Sequence, residues 1–506
     1  MIQLVWYRRD LRLADHAPLV RAARRGPVLP LFVAEPDLAR RPDFGARHWT
    51  FARDSLRELR AALAALGQPL IVRTGSIATV LAALHEVAPI SAIWTHATTG
   101  RAPVSACTDA ARDWAASRGI QYHELAQDGV VRAGPRGRWA SGWASRLAGS
   151  PLPAPEALTP ISGVAPGAIP THQALGLAPD DRPVPTPGGT PAGLALLDAF
   201  LAAHDSGYPA VLDDPLRAAA AATHLGPHLA WGTLSPRQVI AACGKDNSEE
   251  PAAAGRSRSS RRVEESPRAA LIARLRARDR AIQRLHDPAS QIPAHIRRWT
   301  NCSRPTCPSA RRSACRPNRG MARGRDGLPP GDAAMRQLRA TGWLPHPLRA
   351  LVVAFAAHAL WLPWQRLDPF LAKQWLDYEP GIHLDQLQHH AGIGPAAPPP
   401  LPDPVAQGQA HDPTGAYVRR WLPALRAIPD DYLHQPWLLP ADEQERTGCL
   451  IGTHYPVPIV DHEAIARAAR AALAETRRRP AVAAALAAAR ASADNPPAKA
   501  QQMTLF

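Results

Sequence analysis

The chain is poor in the features that mark secreted or membrane proteins. Its 506 residues include only 6 cysteines, in no regular pairing, which argues against a disulfide framework and favours a reducing compartment. No leader-like apolar segment follows the first residues, and no apolar run of about 18 residues occurs anywhere. These absences predict a soluble cytoplasmic protein, and we expect a monomer.

Acidic residues are also scarce relative to basic ones. The chain has 43 Asp and Glu against 59 Lys and Arg, a formal net charge of +16. Such an excess favours an anionic partner such as DNA. A GC-rich genome that encodes arginine freely produces the same excess, so charge alone does not decide. The hydrophobic share of 46% suffices for two domains with real cores.

The first 130 residues alternate short apolar segments with amphipathic ones. Segments 2–6, 28–33, 70–72 and 91–94 favour strands, and the longer segments between them carry leucine and alanine at helical spacing, notably 47–66 and 77–87. The alternation predicts an α/β domain with a parallel, Rossmann-like sheet. No G-x-G-x-x-G follows the first strand, which argues against a dinucleotide site there.

The rest of the chain divides by composition. Residues 131–200 are rich in proline, glycine and alanine and predict an interdomain connector on the surface. Helical periodicity then predicts an all-α domain over 201–475, followed by a helical and then disordered tail over 476–506.

The stretch from 335 to 383 is the most informative. Its apolar residues recur at helical spacing and predict two or three buried helices. Arg349, Asp377 and Glu379 lie in this apolar region, where an unpaired charge is expensive. Two explanations stay open: an Arg349–Asp377 ion pair that ties helices together, or a buried polar ligand that needs a carboxylate and a guanidinium.

Three motifs together resemble the photolyase/cryptochrome family. The chain opens with W-Y-R-R-D-L-R at 6–12, continues with M-R-Q-L-R-A-T-G-W at 335–343 and D-Y-E-P-G-I-H at 377–383, and closes with Y-P-V-P-I-V-D-H at 455–462. They follow the family's order over most of the chain. The resemblance implies an α/β first domain and an all-α second domain that encloses FAD.

The resemblance also implies which residues contact FAD. Thr223, Gly226 and Ser235 can offer hydroxyl and backbone N–H groups to its phosphates, although an N-cap before Pro236 explains Ser235 equally well. Ala222 and Gly226 replace family hydroxyl residues, which is expected to weaken phosphate binding. The implied cofactor contacts are Tyr208, Thr223, Leu225, Gly226, Ser235, Arg278, Asp279, Arg349, Asp377, Glu379 and His383.

Within this set, four residues have implied positions around the flavin. Arg349 would pair with Asp377 beside the ring, and Glu379 would face the ribityl or adenine side. His383 falls where the family sets the group opposite flavin N5, and a histidine there can donate a hydrogen bond or a proton near neutral pH. A satisfied surface histidine with no such role is the ordinary alternative.

The family supplies electrons to the flavin along a chain of tryptophans. Trp364 matches the middle member, whereas Leu387 stands where the member nearest the flavin belongs. Trp361 and Trp375 are candidate substitutes, although tryptophans in a helical core more often serve packing. Trp364, His383 and Trp361 are therefore the candidate catalytic residues.

An arginine-rich helix is predicted over 268–287, and its Arg274 and Arg276 are candidate DNA contacts. Family repair enzymes hold a flipped pyrimidine dimer here with a glutamate and a tryptophan, whereas this chain has Arg274 and Ala277. The lost aromatic stacking is worth about 1–3 kcal/mol per base and favours a cryptochrome-like blue-light photoreceptor. Basic charge and the C-terminus favour light-driven splitting of pyrimidine dimers, a carbon–carbon lyase reaction.

The first domain of the family can also hold an antenna chromophore. A carboxylate followed by Arg-Asp is expected after the fourth strand, but residues 95–107 lack that pattern. Its absence counts against an antenna pigment.

Residues 288–326 depart from the family pattern. Zinc binding by Cys302, Cys307 and Cys315 would need a fourth ligand such as His295, in a spacing that matches no known knuckle, so no metal is predicted. A disordered basic insertion is one alternative. The segment is rich in Arg, Pro, Ser, Cys and Gly, the residues that a GC-rich gene encodes when it is read out of frame. We therefore hypothesise two compensating frameshifts, and resequencing the gene tests this hypothesis. An inactive gene product is thus a third functional alternative.

The C-terminal pentapeptide Q-M-T-L-F follows a polar tether at 494–500. It resembles the peptide with which bacterial repair and replication proteins dock on the DNA sliding clamp. Gln502 would bind at the pocket mouth, and Leu505 and Phe506 would fill apolar subsites. A chance apolar end that packs on its own domain is the alternative.

Overall fold

The computed structural model describes residues 1–132, 139–203, 211–212, 214–244, 266–286, 319–393, 401 and 403–492. The chain forms two compact units that are discontinuous in sequence. The first comprises residues 1–206, 223–286 and 376–381, and the second comprises 207–222, 287–375 and 382–506. The domain limits drawn from composition, at 130, 200 and 475, stay predictions.

A five-stranded parallel sheet forms the centre of the first unit, which confirms the predicted α/β fold. Its strands lie in the order β3-β2-β1-β4-β5. Strands β1, β2 and β4 are almost continuously buried because a parallel sheet is covered on both faces. The polar edge strand β5 gave no apolar signal in the sequence. The strands are β1 Ile2–Tyr7, β2 Val28–Ala34, β3 Ile71–Thr74, β4 Ile90–His96 and β5 Gln121–Leu125.

Two apolar cores pack on this sheet. Alternate residues of β1 face opposite sides, so Val5 and Tyr7 join one core, whereas Leu4 and Trp6 join the other. The helices predicted at 47–66 and 77–87 are confirmed. The first seven helices are α1 Ala17–Ala23, α2 Pro36–Ala39, α3 Ala46–Ala65, α4 Ile77–Val87, α5 Ala102–Ala116, α6 Trp139–Arg146 and α7 Thr190–Ala202.

The predicted connector contributes to the core of the first unit. Leu158, Leu175 and Leu177 lie in the same core as Val5. Most of the next helices also belong to this unit, and the one predicted at 268–287 is confirmed as α11. These helices are α8 Pro215–Ala221, which falls in the second unit, and α9 Gly226–Trp231, α10 Pro236–Gly244 and α11 Pro267–His286.

The regular secondary structure among the described residues of the second unit is helical, apart from one β-bridge between Ile451 and Tyr455. A short π-helix, Phe355–Ala359, follows α14. The helices are α12 Arg319–Arg323, α13 Pro329–Thr341, α14 His346–Ala354, α15 Trp364–Ala372, α16 Pro380–His390, α17 Pro404–His411, α18 Ala416–Trp421, α19 Asp430–Leu433, α20 Ala441–Thr447, α21 His462–Arg478 and α22 Pro480–Ser492.

The 335–383 stretch overlaps four helices, α13 to α16, so the prediction of two or three was wrong. Prolines account for the difference. Pro345 and Pro363 precede the first residues of α14 and α15, and Pro380 is the first residue of α16. Proline lacks the N–H that continues a helix but suits its start. None of the described helices is both long and apolar enough to cross a membrane.

Candidate functional site

The opening motif forms a hydrogen-bonded network at the carboxyl edge of β1 and β4. Asp10 Oδ2 accepts from His16 Nε2 at 2.9 Å and from His96 Nδ1 at 2.8 Å, and Asp10 Oδ1 accepts from the backbone N–H of Arg8 at 2.7 Å. Burial opposes ionisation, but these donors hold the pKa of Asp10 well below its usual range. Burial lowers the pKa of His96 to about 3, so this ring donates while neutral.

Asp10, His16 and His96 are the one group among the described residues whose ligand atoms lie close enough to share a metal ion. His16 Nδ1 accepts the backbone N–H of Leu19 at 3.1 Å, so the neutral ring carries its proton on Nε2. A metal on Nε2 would move that proton to Nδ1, against the Leu19 N–H. The cluster is therefore built as a hydrogen-bonded support for the fold.

Ser235 occupies the N-cap of α10. Its Oγ accepts from the N–H of Gln238 at 3.0 Å, and its N–H donates to Gln238 Oε1 at 2.9 Å, which is a reciprocal capping box. The hydroxyl proton goes to Asp15 Oδ2 at 2.5 Å. These bonds favour the capping explanation, and a phosphate contact by Ser235 stays a prediction.

Asp377 packs directly on the first residue of α9. A Cβ built on Gly226 would lie 2.6 Å from the Cβ of Asp377, closer than side chains approach. The glycine that replaces a hydroxyl residue therefore makes room for this carboxylate. Thr223 and Leu225 are buried just before it, and Thr223 Oγ1 accepts the Leu225 N–H at 3.4 Å.

The two residues after Asp377 bond to the loops at the edge of the sheet. Tyr378 donates its hydroxyl to Asp43 Oδ2 at 2.7 Å. Glu379 accepts from Thr99 Oγ1 at 3.3 Å and lies 3.7 Å from Arg9 Nη1. Burial raises the pKa of Glu379. Because these partners are protein groups, a contact of Glu379 with the flavin stays a prediction.

Arg278 and Asp279 form an ion pair on α11, with Nη1 and Oδ1 2.8 Å apart. Asp279 Oδ2 also accepts from the Gly129 N–H at 2.9 Å and from Trp143 Nε1 at 3.0 Å, while Arg278 donates to the Leu229 carbonyl. Burial raises the pKa of Asp279 to about 6. The pair holds α6 and α9 onto α11, and its predicted role at the flavin remains untested.

The two DNA candidates on α11 differ in exposure. Arg274 is 5% exposed, whereas Arg276 is exposed and donates to the Ala140 carbonyl at 2.9 Å. A side chain must reach the surface to bind a phosphate backbone. A DNA contact therefore stays a prediction that the structure favours for Arg276 over Arg274.

A cleft with about 980 Å³ free of protein atoms opens in the first unit at the carboxyl edge of the sheet. The strand order reverses there, between β1 and β4, as at ligand sites of open α/β sheets. Asp43 binds Arg41 at 2.6 Å and Arg101 at 3.2 Å on its wall. The alternation of strands and helices in the sequence predicted a ligand site at this edge of the sheet, but no sequence pattern indicated the cleft itself. Six aromatic residues line it: Trp6, Phe32, Phe44, Trp49, Trp231 and Tyr378.

Arg349 is fixed within the second unit. Its Nε donates to the Leu344 carbonyl at 2.8 Å, and its guanidinium lies 4.4 Å from the centre of the Trp375 ring, within cation–π range. Asp377 belongs to the first unit, and the predicted Arg349–Asp377 pair stays a prediction.

Two buried N–H donors in the second unit have no hydrogen-bond partner among the described residues: Trp364 Nε1 and Gln386 Nε2. A buried donor left unbonded costs about 1–3 kcal/mol, so acceptors from a bound group are expected. The donors fit a ligand rich in acceptor atoms, such as FAD.

Two other residues of the predicted electron-transfer chain are also described. Leu387 is 1% exposed, and Trp361 has a positive φ of 54°, which is rare for a bulky residue.

His383 lies on α16 and is 7% exposed. Its Nε2 lies 3.1 Å from the backbone oxygen of Asp368 and 3.2 Å from Asp368 Oδ1. No sequence pattern pointed to Asp368, because its contact with His383 depends on how α15 packs against α16. Tyr208, Cys302, Cys307 and Cys315 and the C-terminal pentapeptide fall outside the described residues.

Two family models match the chain. Residues 3–135 match DNA photolyase, and residues 272–475 match the FAD binding domain of DNA photolyase. A deoxyribodipyrimidine photo-lyase of Thermus thermophilus is 32% identical over 430 residues, which cover 83% of this chain and 92% of that protein.

Other relatives extend the similarity. A cryptochrome DASH of Natronomonas pharaonis is 28% identical over 487 residues, or 91% of this chain and 98% of that protein. The fold is similar to the crystal structure of a bacterial class III photolyase from Agrobacterium tumefaciens, with a TM-score of 0.78 at 23% identity over 94% of this chain and 98% of that one. At that identity, the likeness concerns the fold alone. The chain therefore belongs to the photolyase/cryptochrome family and carries its FAD-binding domain.

Proposed function

We propose that this protein is a FAD-dependent photolyase that uses light to split pyrimidine dimers in DNA. The observation that carries the proposal is the similarity to a deoxyribodipyrimidine photo-lyase over 92% of that protein's length, with both of the family's domains matched. The net charge of +16 suits a protein that binds a phosphate backbone.

The described residues fit FAD in two respects. Gly226 leaves room for the Asp377 carboxylate, and Trp364 Nε1 and Gln386 Nε2 are buried donors that lack acceptors in the described part of the chain. When bound, FAD supplies the chromophore and the electron. We assign Asp377 and Arg349 to the flavin ring, as the family resemblance implies.

The first test measures FAD and repair together. Purified protein is expected to absorb as a flavoprotein and, under blue light but not in the dark, to restore an oligonucleotide that carries one pyrimidine dimer. Asp377→Ala is expected to lose FAD, because it removes the carboxylate that this proposal places beside the flavin ring. The exposed Asp431→Ala is the matched control.

The possible outcomes separate the alternatives. A flavoprotein without repair would support the cryptochrome-like photoreceptor, which the missing aromatic at Ala277 favours. A folded but colourless protein would contradict both and support an inactive gene product. Unchanged FAD content in Asp377→Ala would place this carboxylate outside the site.

DNA binding has its own test. The affinity for duplex DNA should fall steeply with salt, with a log–log slope of about −0.9 per phosphate contacted. Arg276→Ala is expected to reduce that slope by about 1, whereas Arg274→Ala should chiefly disturb folding. Binding that does not depend on salt would contradict a role in DNA repair.

The aromatic cleft supports a second ligand in the first unit. Its aromatic side chains suit a planar cofactor, and Arg41 on its wall suits an anionic tail. The missing motif at 95–107 argues against an antenna pigment, whereas the aromatic cleft favours a second ligand. A measurement of bound chromophores decides between these two expectations. A chromophore that the native protein binds in addition to one FAD per chain, and that Trp49→Ala loses, would support a second ligand in the cleft. One FAD and no other chromophore in both the native protein and Trp49→Ala would contradict it.

We further propose that the C-terminal pentapeptide docks on the bacterial sliding clamp. The last ten residues should bind the clamp with micromolar affinity, and replacing Leu505 and Phe506 by alanine should abolish binding. Gln502→Ala should weaken it. Equal binding by the native and doubly substituted peptides would refute the proposal. Sedimentation of the full chain tests the expected monomer.

A further inference from the structure

The imidazole of His383 has two acceptors at one nitrogen. Nε2 lies 3.1 Å from the Asp368 carbonyl oxygen and 3.2 Å from Asp368 Oδ1. A backbone carbonyl can only accept a hydrogen bond, so Nε2 must carry a proton in this arrangement. The tautomer is thus fixed by geometry, whatever the charge of the carboxyl group.

Burial strengthens this constraint. Asp368 is 8% exposed and His383 is 7% exposed, so water does not compete freely for the Nε2 proton. Each residue sits within a helix: Asp368 in the second turn of α15, and His383 in the first turn of α16. Their approach joins α15 to α16, and no local sequence pattern encodes it.

We propose that Asp368 is a positioning residue that holds the His383 proton on Nε2, so that proton exchange at this imidazole takes place at Nδ1. A neutral His383 then carries its lone pair on Nδ1 and can accept a hydrogen bond there, while the protonated ring can donate from the same atom. A carboxylate that orients a functional histidine by its second nitrogen is a common arrangement in proteins.

This inference rests on the proposed function only for its consequence at the flavin. If His383 faces flavin N5, as the family resemblance implies, its Nδ1 is the atom that meets the cofactor, and Asp368 decides that orientation. The Asp368–His383 pair itself can be tested without reference to FAD or light.

The test is proton NMR of the full chain labelled with ¹⁵N-histidine. The His383 signal is assigned by its loss in His383→Gln. We expect a downfield N–H proton bonded to Nε2 in the native protein and in Asp368→Asn, whose amide oxygen keeps the acceptor. Asp368→Ala keeps the backbone carbonyl, so Nε2 should stay protonated. Because the Oδ1 acceptor is lost, this proton should exchange with water at least about tenfold faster, as expected for about 1.4 kcal/mol of lost hydrogen bonding.

The outcomes are distinct. A proton bonded to Nδ1, or an exchange rate in Asp368→Ala equal to the native rate, would overturn the proposal. The exposed Asp431→Ala controls for a general loss of stability, and circular dichroism checks that each variant folds. FAD content, read from the visible absorption of the same samples, reports on the proposed function separately, so either idea can fail alone.

Discussion

Two buried aspartate sites, one in each unit, show how partners decide the charge of the same side chain. Asp10 in the first unit has three donors: two imidazoles and a backbone N–H. Asp326 in the second unit is 4% exposed, and its Oδ1 has no partner among the described residues. Burial and the neighbouring Asp332 raise the pKa of Asp326 to about 8, whereas the pKa of Asp10 lies well below its usual range.

Asp332 takes the donors that Asp326 lacks. Its Oδ1 accepts the Asp326 N–H at 2.6 Å, and its Oδ2 accepts the Gly327 N–H at 3.0 Å and the Tyr455 hydroxyl at 2.6 Å. These bonds join the turn before α13 to the closing motif. Gly327 itself leaves no room for a side chain, because a Cβ would lie 2.3 Å from the Val457 carbonyl oxygen. A carboxyl group can thus be buried either as a carboxylate that accepts hydrogen bonds or as a protonated, neutral group.

The largest effect should come from removing the donor-rich carboxylate. Asp10→Ala leaves three buried donors without an acceptor and should lower the free energy of unfolding by about 3–5 kcal/mol. Urea denaturation followed by fluorescence measures the loss. Asp37→Ala, at an almost fully exposed side chain, is the control and should leave the transition unchanged. A small loss in Asp10→Ala would break the comparison.

Tyr455→Phe should have a smaller effect. It removes one of three donors to Asp332 and keeps the ring packed, so we expect a loss of about 2 kcal/mol, typical of a hydrogen bond to a charged acceptor. The same denaturation experiment measures it. Full native stability in Tyr455→Phe would show that the two backbone donors suffice to hold Asp332.

The smallest expected effect, per pH unit, is a pH dependence of stability that Asp326 should show and Asp10 should not. Because the pKa of Asp326 rises from 3.8 to about 8 on folding, its contribution to stability is full below pH 3.8 and is lost as the pH rises through about 8. The slope is about 1.4 kcal/mol per pH unit in this window. Asp10, with its lowered pKa, contributes above the unfolded pKa and should give no slope between pH 5 and about 8.

Unfolding of the native protein and of Asp326→Asn between pH 5 and 8 checks this difference. The asparagine variant should lack the Asp326 slope while retaining all others, because its side chain does not titrate. Parallel pH profiles for the two proteins would mean that Asp326 is already ionised in the folded state.

Local pattern sufficed for much of the fold. Four of the five strands and the helices at 47–66, 77–87 and 268–287 follow from apolar periodicity, which acts over neighbouring residues. Polar β5 did not, because none of its residues is fully buried. The motif at 377–383 located Asp377 and His383, but no pattern pointed to Asp368, to the aromatic cleft or to the room that Gly226 leaves for Asp377.

By itself, the sequence determined the elements and the family motifs, because both depend on residues that are close along the chain. The tertiary structure decided the bonding partners: His96 reaches Asp10 across 86 residues, and Ser235 reaches Asp15 across 220. The charge of a buried group depends on such partners and on exclusion of water. Only the folded chain therefore decided that Asp10 has donors and a lowered pKa, whereas Asp326, whose Oδ1 has no partner among the described residues, has a raised pKa.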